Sequence, residues 1–387
     1  MKTLRSGRNR RKGIYVLLLM GLLGLSGCGS PSSASVEMSS QTELVKTGSM
    51  ELQYAENFAV DYYEDGYKML TTLPDSKRYL LVPEGQPVPR GLDEDVSILQ
   101  EPLQNIYLVA SGVMDMFASL DAVDQIRFSG QKQENWYIQT AKDAMAAGDM
   151  IYAGKYSKPD YELLVSEGCD LAIENRMITH SPEVVEMLQS FDIPVMIEYS
   201  SYEQHPLGKV EWVKFFGALT GKEAEAEEAF AEQTEILEEV ESGEKTGKTI
   251  AFFYVTSNGL IQVRQSTDYI PKLIELAGGR YIFEDLEDSG SGRSTLNMQV
   301  EDFYAGAKDA DILIYNSSID GGVTTVDELI GKCNILKDFK ALQEGQVYCT
   351  TNDMYQQSMA IGYLLQDMHT VLTDDDTAKL RYLFLLQ

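Results

Sequence analysis

Histidine, cysteine and tryptophan are scarce in this chain: three, four and two among 387 residues. His180, His205 and His369 are scattered along it. Such a set makes no site for free Zn²⁺ or Mn²⁺, which wants several imidazoles with a carboxylate. Besides Cys28 there are Cys169, Cys333 and Cys349, and an odd number closes no complete disulfide framework. Cys169 precedes an apolar stretch and reads as a small core residue, whereas a Cys333–Cys349 pair stays open. Gly-x-Ser-x-Gly, P-loop and dinucleotide fingerprints are missing, which removes the sequence signatures of the common hydrolases, NTPases and dehydrogenases. The longest apolar run, residues 14–25, has 12 residues, short of the ~20 that span a bilayer. Positive charge is also in short supply. Six of the 32 Lys and Arg precede residue 13, leaving 26 against 60 acids from Cys28 onward (26 − 60 = −34). Such a surface repels nucleic acid and anionic lipid and suits a protein that receives a cationic partner or ligand.

What is present starts with Lys2, Arg5, Arg8, Arg10, Arg11 and Lys12, followed by the apolar run. A basic segment before a short apolar one is a secretory signal. Leu25-Ser26-Gly27-Cys28 closes it and resembles the bacterial lipobox, which implies that residues 1–27 are removed and Cys28 is lipidated. Residues 28–49 are Ser-rich and read as a flexible tether, with a span of roughly 25 Å. The expected location is the outer face of the cell membrane.

About 340 residues remain, enough for two lobes. Residues 50–100 alternate apolar and polar side chains around turns and read as β-rich. A βα alternation follows. Strands are expected at 105–110, 125–130, 150–154, 170–175 and 194–200, with helices at 111–120, 134–147, 159–167 and 182–190 between them. The last helix is marked by Ser181 as cap and Pro182 at its first position. Short apolar strands separated by helices imply a parallel sheet covered on both faces. Residues 209–241 carry mostly helical apolar spacing, with a kink allowed at Gly217 or Gly221. As one helix they run roughly 50 Å, enough to bridge two lobes. A second βα series occupies 244–387, with a terminal helix at 354–372. The divisions are therefore an N-terminal lobe 50–208, a bridging helix 209–243 and a C-terminal lobe 244–387. The halves echo each other: Glu162, a helical stretch, Asp170 and an apolar strand in one; Glu301, a helical stretch, Asp311 and an apolar strand in the other.

With the lipobox, "AGKYSKPDYELLVSEGCDLAIEN", "IPVMIEYSSYEQHPLGKVEWVKFFGALTGKEAEAE", "TIAFFYVTSNGLIQVRQSTDYIPKLIELAGG" and "MQVEDFYAGAKDADILIYN" in that order, the chain resembles the substrate-binding lipoproteins of ABC importers. Among these it is similar to the iron-siderophore/haem/cobalamin binding family. The resemblance implies a class III periplasmic-binding-protein fold: two α/β lobes with mainly parallel sheets, joined by one long helix, with a ligand cleft between them. It implies no enzyme activity, no resident cofactor or metal, and as ligand a metal chelate such as a ferric siderophore, haem or cobalamin. It implies as partners an ABC permease and, through it, ATPase subunits, with the binding protein a monomer. Glu162 and Glu301 match the positions at which family members meet arginines of the permease.

Ligands of open parallel sheets sit beyond the carboxyl ends of strands. The residues expected there are Ser111, Met114, Lys132, Trp136, Lys155, Tyr156, Arg176, Tyr202 and His205 in the first lobe. In the second they are Ser257, Arg264, Arg293 and Asn316. Arg forks hold carboxylate, phosphate or catecholate oxygens, and Tyr and Trp faces suit a flat ring system. His205, before a proline, equally fits a structural hydrogen bond. The competing readings are a lipid-anchored hydrolase, which lacks its nucleophile signature, and an adhesion lipoprotein, which has no use for a rigid bridging helix.

Overall fold

A computed structural model of the protein describes residues 44–286, 294–317, 320–374 and 377–387, so the signal segment, Cys28 and Arg293 lie outside them. The first strand, β1 (Lys46–Ser49), is exposed along its length yet pairs antiparallel with β2 (Phe58–Tyr63). Residues 46–49, expected to be tether, are thus part of a sheet. β3 (Lys68–Thr72), β4 (Lys77–Val82) and β5 (Val96–Gln100) complete it in the order β1-β2-β3-β4-β5.

The βα series follows. It comprises β6 (Ile106–Leu108), α1 (Val113–Ser119), β7 (Ile126–Ser129), α2 (Gln139–Ala147) and β8 (Ile151–Tyr152). A small hairpin, β9 (Gly154–Lys155) and β10 (Lys158–Pro159), precedes α3 (Tyr161–Ser166), β11 (Leu171–Asn175), α4 (Pro182–Ser190) and β12 (Val195–Glu198). The sheet order is β12-β11-β6-β7-β8, and every pairing in it is parallel.

Residues 209–241 are not one strut. They belong to two helices, α5 (Pro206–Thr220) and α6 (Glu223–Glu241), broken where Gly221 takes φ 72°. Glycine enters that left-handed region without a Cβ penalty and stops a helix there. α6 then folds back on α5. Lys214 of α5 pairs with Glu227 of α6 at 2.9 Å and lies 4.5 Å from the Phe230 ring centroid. A Cβ added to Gly217 would stand 2.6 Å from the Ala226 Cβ. Gly217→Ala is therefore expected to destabilise the protein by about 1–3 kcal/mol in chemical denaturation, because backbone must move to admit one methyl. An unchanged midpoint would show that the hairpin yields there at no cost.

The second series holds β13 (Thr249–Val255), β14 (Ile261–Arg264), α7 (Tyr269–Leu276), β15 (Arg280–Tyr281), β16 (Thr295–Met298), α8 (Val300–Ala307) and β17 (Ile312–Tyr315). After it come α9 (Val326–Lys332), α10 (Lys340–Gln343), β18 (Val347–Thr350), α11 (Ile361–Thr373) and β19 (Leu383–Leu385). The order is β16-β14-β13-β17-β18-β19, with β15 also on β13. β13, β15, β17 and β18 run parallel, while β14 pairs antiparallel with both β13 and β16, and β19 pairs antiparallel with β18.

Alternation along the strands builds three layers. Ile250, Phe252, Ile312 and Ile314 face a large inner core, whereas Ala251, Phe253, Leu313 and Tyr315 face a separate outer cluster. In the first sheet Leu108 and Ile173 face the same inner core, and Tyr107 and Ala172 an outer cluster of their own. Both sheets are thus covered on both faces, which is why their strands read as continuous apolar runs. The inner core includes Trp212, Phe215 and Phe216 of α5 and Leu364, Leu365 and Met368 of α11. The lobes share a helical layer, and residues 42–387 form one compact body. Cys169, Cys333 and Cys349 are buried and free.

Two buried carboxylates hold the opening segment to α5. Glu211, fully buried, accepts the backbone N–H groups of Gln53, Tyr54 and Ala55 at 2.8 Å each. Glu203 accepts those of Glu56 and Asn57 at 3.0 Å and the Trp212 indole N–H at 2.9 Å. Glu174 on β11 is the opposite case. It is fully buried, and among the described residues neither of its oxygens has a hydrogen-bond partner. Burial pushes its carboxyl up to about 8. A folded pKa above the unfolded one contributes stability that is complete below the ordinary carboxylate range and is lost as pH rises through about 8. Relative to Glu174→Gln, the wild type should lose about 3–5 kcal/mol between pH 5 and about 9 in urea denaturation. Parallel pH profiles of the two proteins would rule this out.

Candidate ligand cleft

After β18 the chain leaves its own lobe and crosses to the other. Gln356 accepts the Tyr137 backbone N–H and donates to the Asn135 carbonyl, each at 2.8 Å. The Ser358 hydroxyl donates to the Gly112 carbonyl, and the Met359 N–H reaches Asp115 Oδ2 at 2.7 Å. Residues 351–360 therefore form a strap over the carboxyl ends of β6 and β7. Burial pushes Asp115 up to about 6, against the pull of the Met359 N–H and of Lys209.

Beneath the strap lies a buried polar network between the lobes. Arg264, at the end of β14, donates to the Tyr355 hydroxyl, which also receives the Asn316 amide at 3.0 Å. Arg264 pairs with Asp268 at 3.4 Å, and Asp268 caps α7 by accepting the Ile270 N–H at 2.9 Å. Tyr281 accepts the Arg264 backbone N–H and donates to its carbonyl, fixing the backbone from which the fork projects. From α5, Lys209 lies 4.7 Å from the Tyr269 ring centroid. Burial lowers its pKa, with Glu198 opposing. Burial likewise raises Glu198, whose Oε2 accepts the Ser200 N–H and hydroxyl at 2.9 and 2.6 Å. A cavity of about 380 Å³ opens beside the network, walled by Tyr54 and His205 and by Asp268 and Lys272. The Arg264 fork thus meets a neutral phenol on one edge and the Asp268 carboxylate on the other, with Lys209 in the same buried setting. A carboxylate or catecholate oxygen displacing the Tyr355 hydroxyl gains a charge-assisted bond.

Of the residues expected in the cleft, Arg264 and Asn316 meet through Tyr355, and Ser111 stands beside the Gly112 carbonyl that the strap holds. The Arg176 guanidinium stacks 4.5 Å over Tyr202 at the rim beyond β11 and β12. Lys132, Lys155 and Ser257 are exposed. Three placements are corrected, Met114, Trp136 and Tyr156, while His205 both caps a helix and lines the cavity. Met114 and Trp136 are core residues, 0% and 1% exposed, the Trp136 indole bonded to the Ser129 hydroxyl at 3.1 Å. Tyr156 packs on the outer cluster of the first sheet. His205 caps α5, its Nδ1 accepting the Leu207 N–H at 3.2 Å, and its ring stacks on Tyr54 with centroids 4.4 Å apart. Its remaining edge lines the cavity. Arg293 lies outside the described residues. Tyr355, Gln356 and Asp115 were not foreseen. The usable signal was their place: Tyr355 and Gln356 follow the carboxyl end of a parallel strand, and Asp115 follows another.

The echo between the halves is structural. Glu162 and Glu301 are exposed in the first turns of α3 and α8. Each helix leads into an inner strand of its sheet, β11 and β17. The aspartates that follow do the same job: Asp170 accepts the Asn105 N–H at 2.9 Å, and Asp311 the Thr249 N–H at 2.7 Å, each at the start of the neighbouring parallel strand. Among the described residues neither Glu162 nor Glu301 has an ion-pair partner.

No model of a known protein family matches the chain. It is 24% identical to an uncharacterized lipoprotein of Methanocaldococcus jannaschii over 93% of this chain and 92% of that one. Among solved structures it is similar to the periplasmic haem-binding protein HutB of Vibrio cholerae, with TM-score 0.55 and 15% identity, over 69% of this chain and 98% of that one. An ABC transporter substrate-binding protein from Listeria monocytogenes gives TM-score 0.53 and 17% identity over 70% and 98%. Both likenesses leave nearly a third of this chain without a counterpart. Two sandwiched α/β lobes, a helical layer common to both and these likenesses together give the chain the class III periplasmic-binding-protein fold.

Proposed function

We propose that this is the extracytoplasmic substrate-binding lipoprotein of an ABC importer, anchored through Cys28 and carrying an anionic metal chelate of the siderophore, haem or cobalamin kind. The observation that carries the reading is the buried Arg264–Tyr355–Asn316 receptor between two lobes of this fold. With no bridging strut, the reading rests on that receptor and on the fold. Ligand enters between the lobes, its acidic oxygens replace the Tyr355 hydroxyl on Arg264, and the strap closes over it. Glu162 and Glu301 then present the loaded protein to a permease driven by ATPase subunits. Stoichiometric binding without turnover separates this from a hydrolase.

The test is calorimetric titration of the lipid-free domain with ferric siderophores, haemin and cobalamin. One of them should bind at one per chain, and Arg264→Ala should weaken it by about 10²-fold, the cost of a lost charge-assisted pair. Tyr355→Phe, which frees the Arg264 fork, should tighten it. Equal affinity in all three proteins would remove the network from the binding site.

A further inference from the structure

Large apolar side chains at the surface are unevenly placed. Among the described residues beyond 203 only Leu385 is an exposed large apolar side chain, whereas the first lobe carries several. Three of these lie on α3 and at the C-terminal end of α4, which the Tyr161–Phe191 ring contact brings together: Val165, Met187 and Phe191, exposed at 48, 44 and 43%. The Phe191 ring lies 6.1 Å from that of Tyr161, centroid to centroid. Val165 is four residues from Tyr161 and Met187 four from Phe191, so each pair shares a helix face or its continuation. Glu162 adjoins Tyr161 and lies one turn from Val165. The equivalent turn of α8 bears Glu301 and Asp302 with no exposed large apolar neighbour among the described residues.

We propose that the Val165–Tyr161–Phe191–Met187 patch is an apolar docking surface for the importer's membrane-integral subunit, which seats it in an apolar depression beside a cation. The proposal rests on the docking reading of Glu162. Charge selects the occupant. A second copy would bring Glu162 against like charge, and Glu183 and Glu186 on the same helix as Met187 repel anionic lipid. A permease face offering Arg or Lys beside apolar side chains satisfies both parts of the patch. Exposed apolar groups rimmed by polar ones mark interaction sites, and buried aromatic anchors carry more affinity than rim charges. The two lobes then dock differently: the first by apolar burial with one ionic contact, the second by charge.

The test measures binding of the lipid-free, ligand-loaded domain to the permease–ATPase complex that co-isolates with the wild-type lipoprotein, held in nanodiscs, at about 0.05 and about 0.5 M NaCl. Val165→Ser/Phe191→Ser should weaken binding about tenfold or more at both salts. Glu162→Gln should weaken it chiefly at low salt, and Val165→Ile/Phe191→Leu should restore it. Circular dichroism and ligand affinity confirm the fold of each variant, with Leu385→Ser as control. Wild-type binding by the serine variant, with Glu162→Gln still impaired, overturns the patch and leaves the docking reading standing. If neither change matters, docking through this face fails as a whole. A dimer of the free domain that Phe191→Ser dissolves assigns the patch to a second copy and overturns the proposal.

Discussion

Replacing Glu162 and Glu301 together with Ala is expected to abolish import while leaving ligand affinity and stability as they were. Both carboxylates are exposed and, among the described residues, unpaired, so folding loses little with them. Their cost falls on the docked state. Removing one partner of a desolvated, hydrogen-bonded charge pair costs about 2–5 kcal/mol. Two such losses multiply to roughly 10³-fold or more in affinity for the permease. Either single substitution should give an intermediate defect, largest at low salt, since salt screens in the wild type the contact that the variant lacks. Radiolabelled ligand uptake in cells carrying the full-length lipoprotein reads the outcome. Normal uptake by the double variant would remove both glutamates from docking, whatever the cleft binds.

The second large effect concerns stability. Glu211→Ala leaves three backbone N–H groups without acceptors, that of Ala55 buried and those of Gln53 and Tyr54 part-buried, and takes from Lys214 a carboxylate 3.7 Å away. Unmet buried donors cost about 1–3 kcal/mol each, partly recovered by relaxation and entering water. A net loss of about 3–5 kcal/mol is expected, as for other broken buried charge networks. Glu211→Gln keeps one acceptor and should lose less. Glu228→Ala, on the exposed face of α6, should stay within about 0.5 kcal/mol of wild type. Urea denaturation with native-state hydrogen exchange at residues 53–55 distinguishes the outcomes. A loss below 1 kcal/mol would mean that this segment contributes little to the fold.

Legibility followed the range of the interaction involved. Period-two apolar runs and helix-starting prolines act within a few residues, so α4 starts and stops where Pro182 and the apolar spacing place it, although the Ser181 hydroxyl makes no cap hydrogen bond. The echo of Glu162 and Glu301 was readable because each is followed at nearly the same distance by an aspartate that ties a neighbouring strand. The bridging helix failed because helical periodicity continues across Gly221, while the turn there depends on one left-handed residue and on Ala226 fitting against Gly217. The strap was hidden for a similar reason. Its residues extend the apolar spacing of α11, yet the helix starts only at Ile361, and Gln356, Ser358 and Met359 hydrogen-bond the other lobe. Met114 and Trp136 lie near the ends of strands as expected, but side-chain direction turned both inward, and position in sequence does not encode that direction.

The three sulfhydryls of the folded body are shielded from solvent, and burial raises all of them, Cys169 to about 12. Thiolate is the reactive form, so maleimides should pass them by at neutral pH. Paired reporter dyes could therefore be attached at newly introduced surface cysteines, one on each half, without first stripping the native ones. Spectroscopic rulers could then follow opening and closing of an otherwise unaltered molecule.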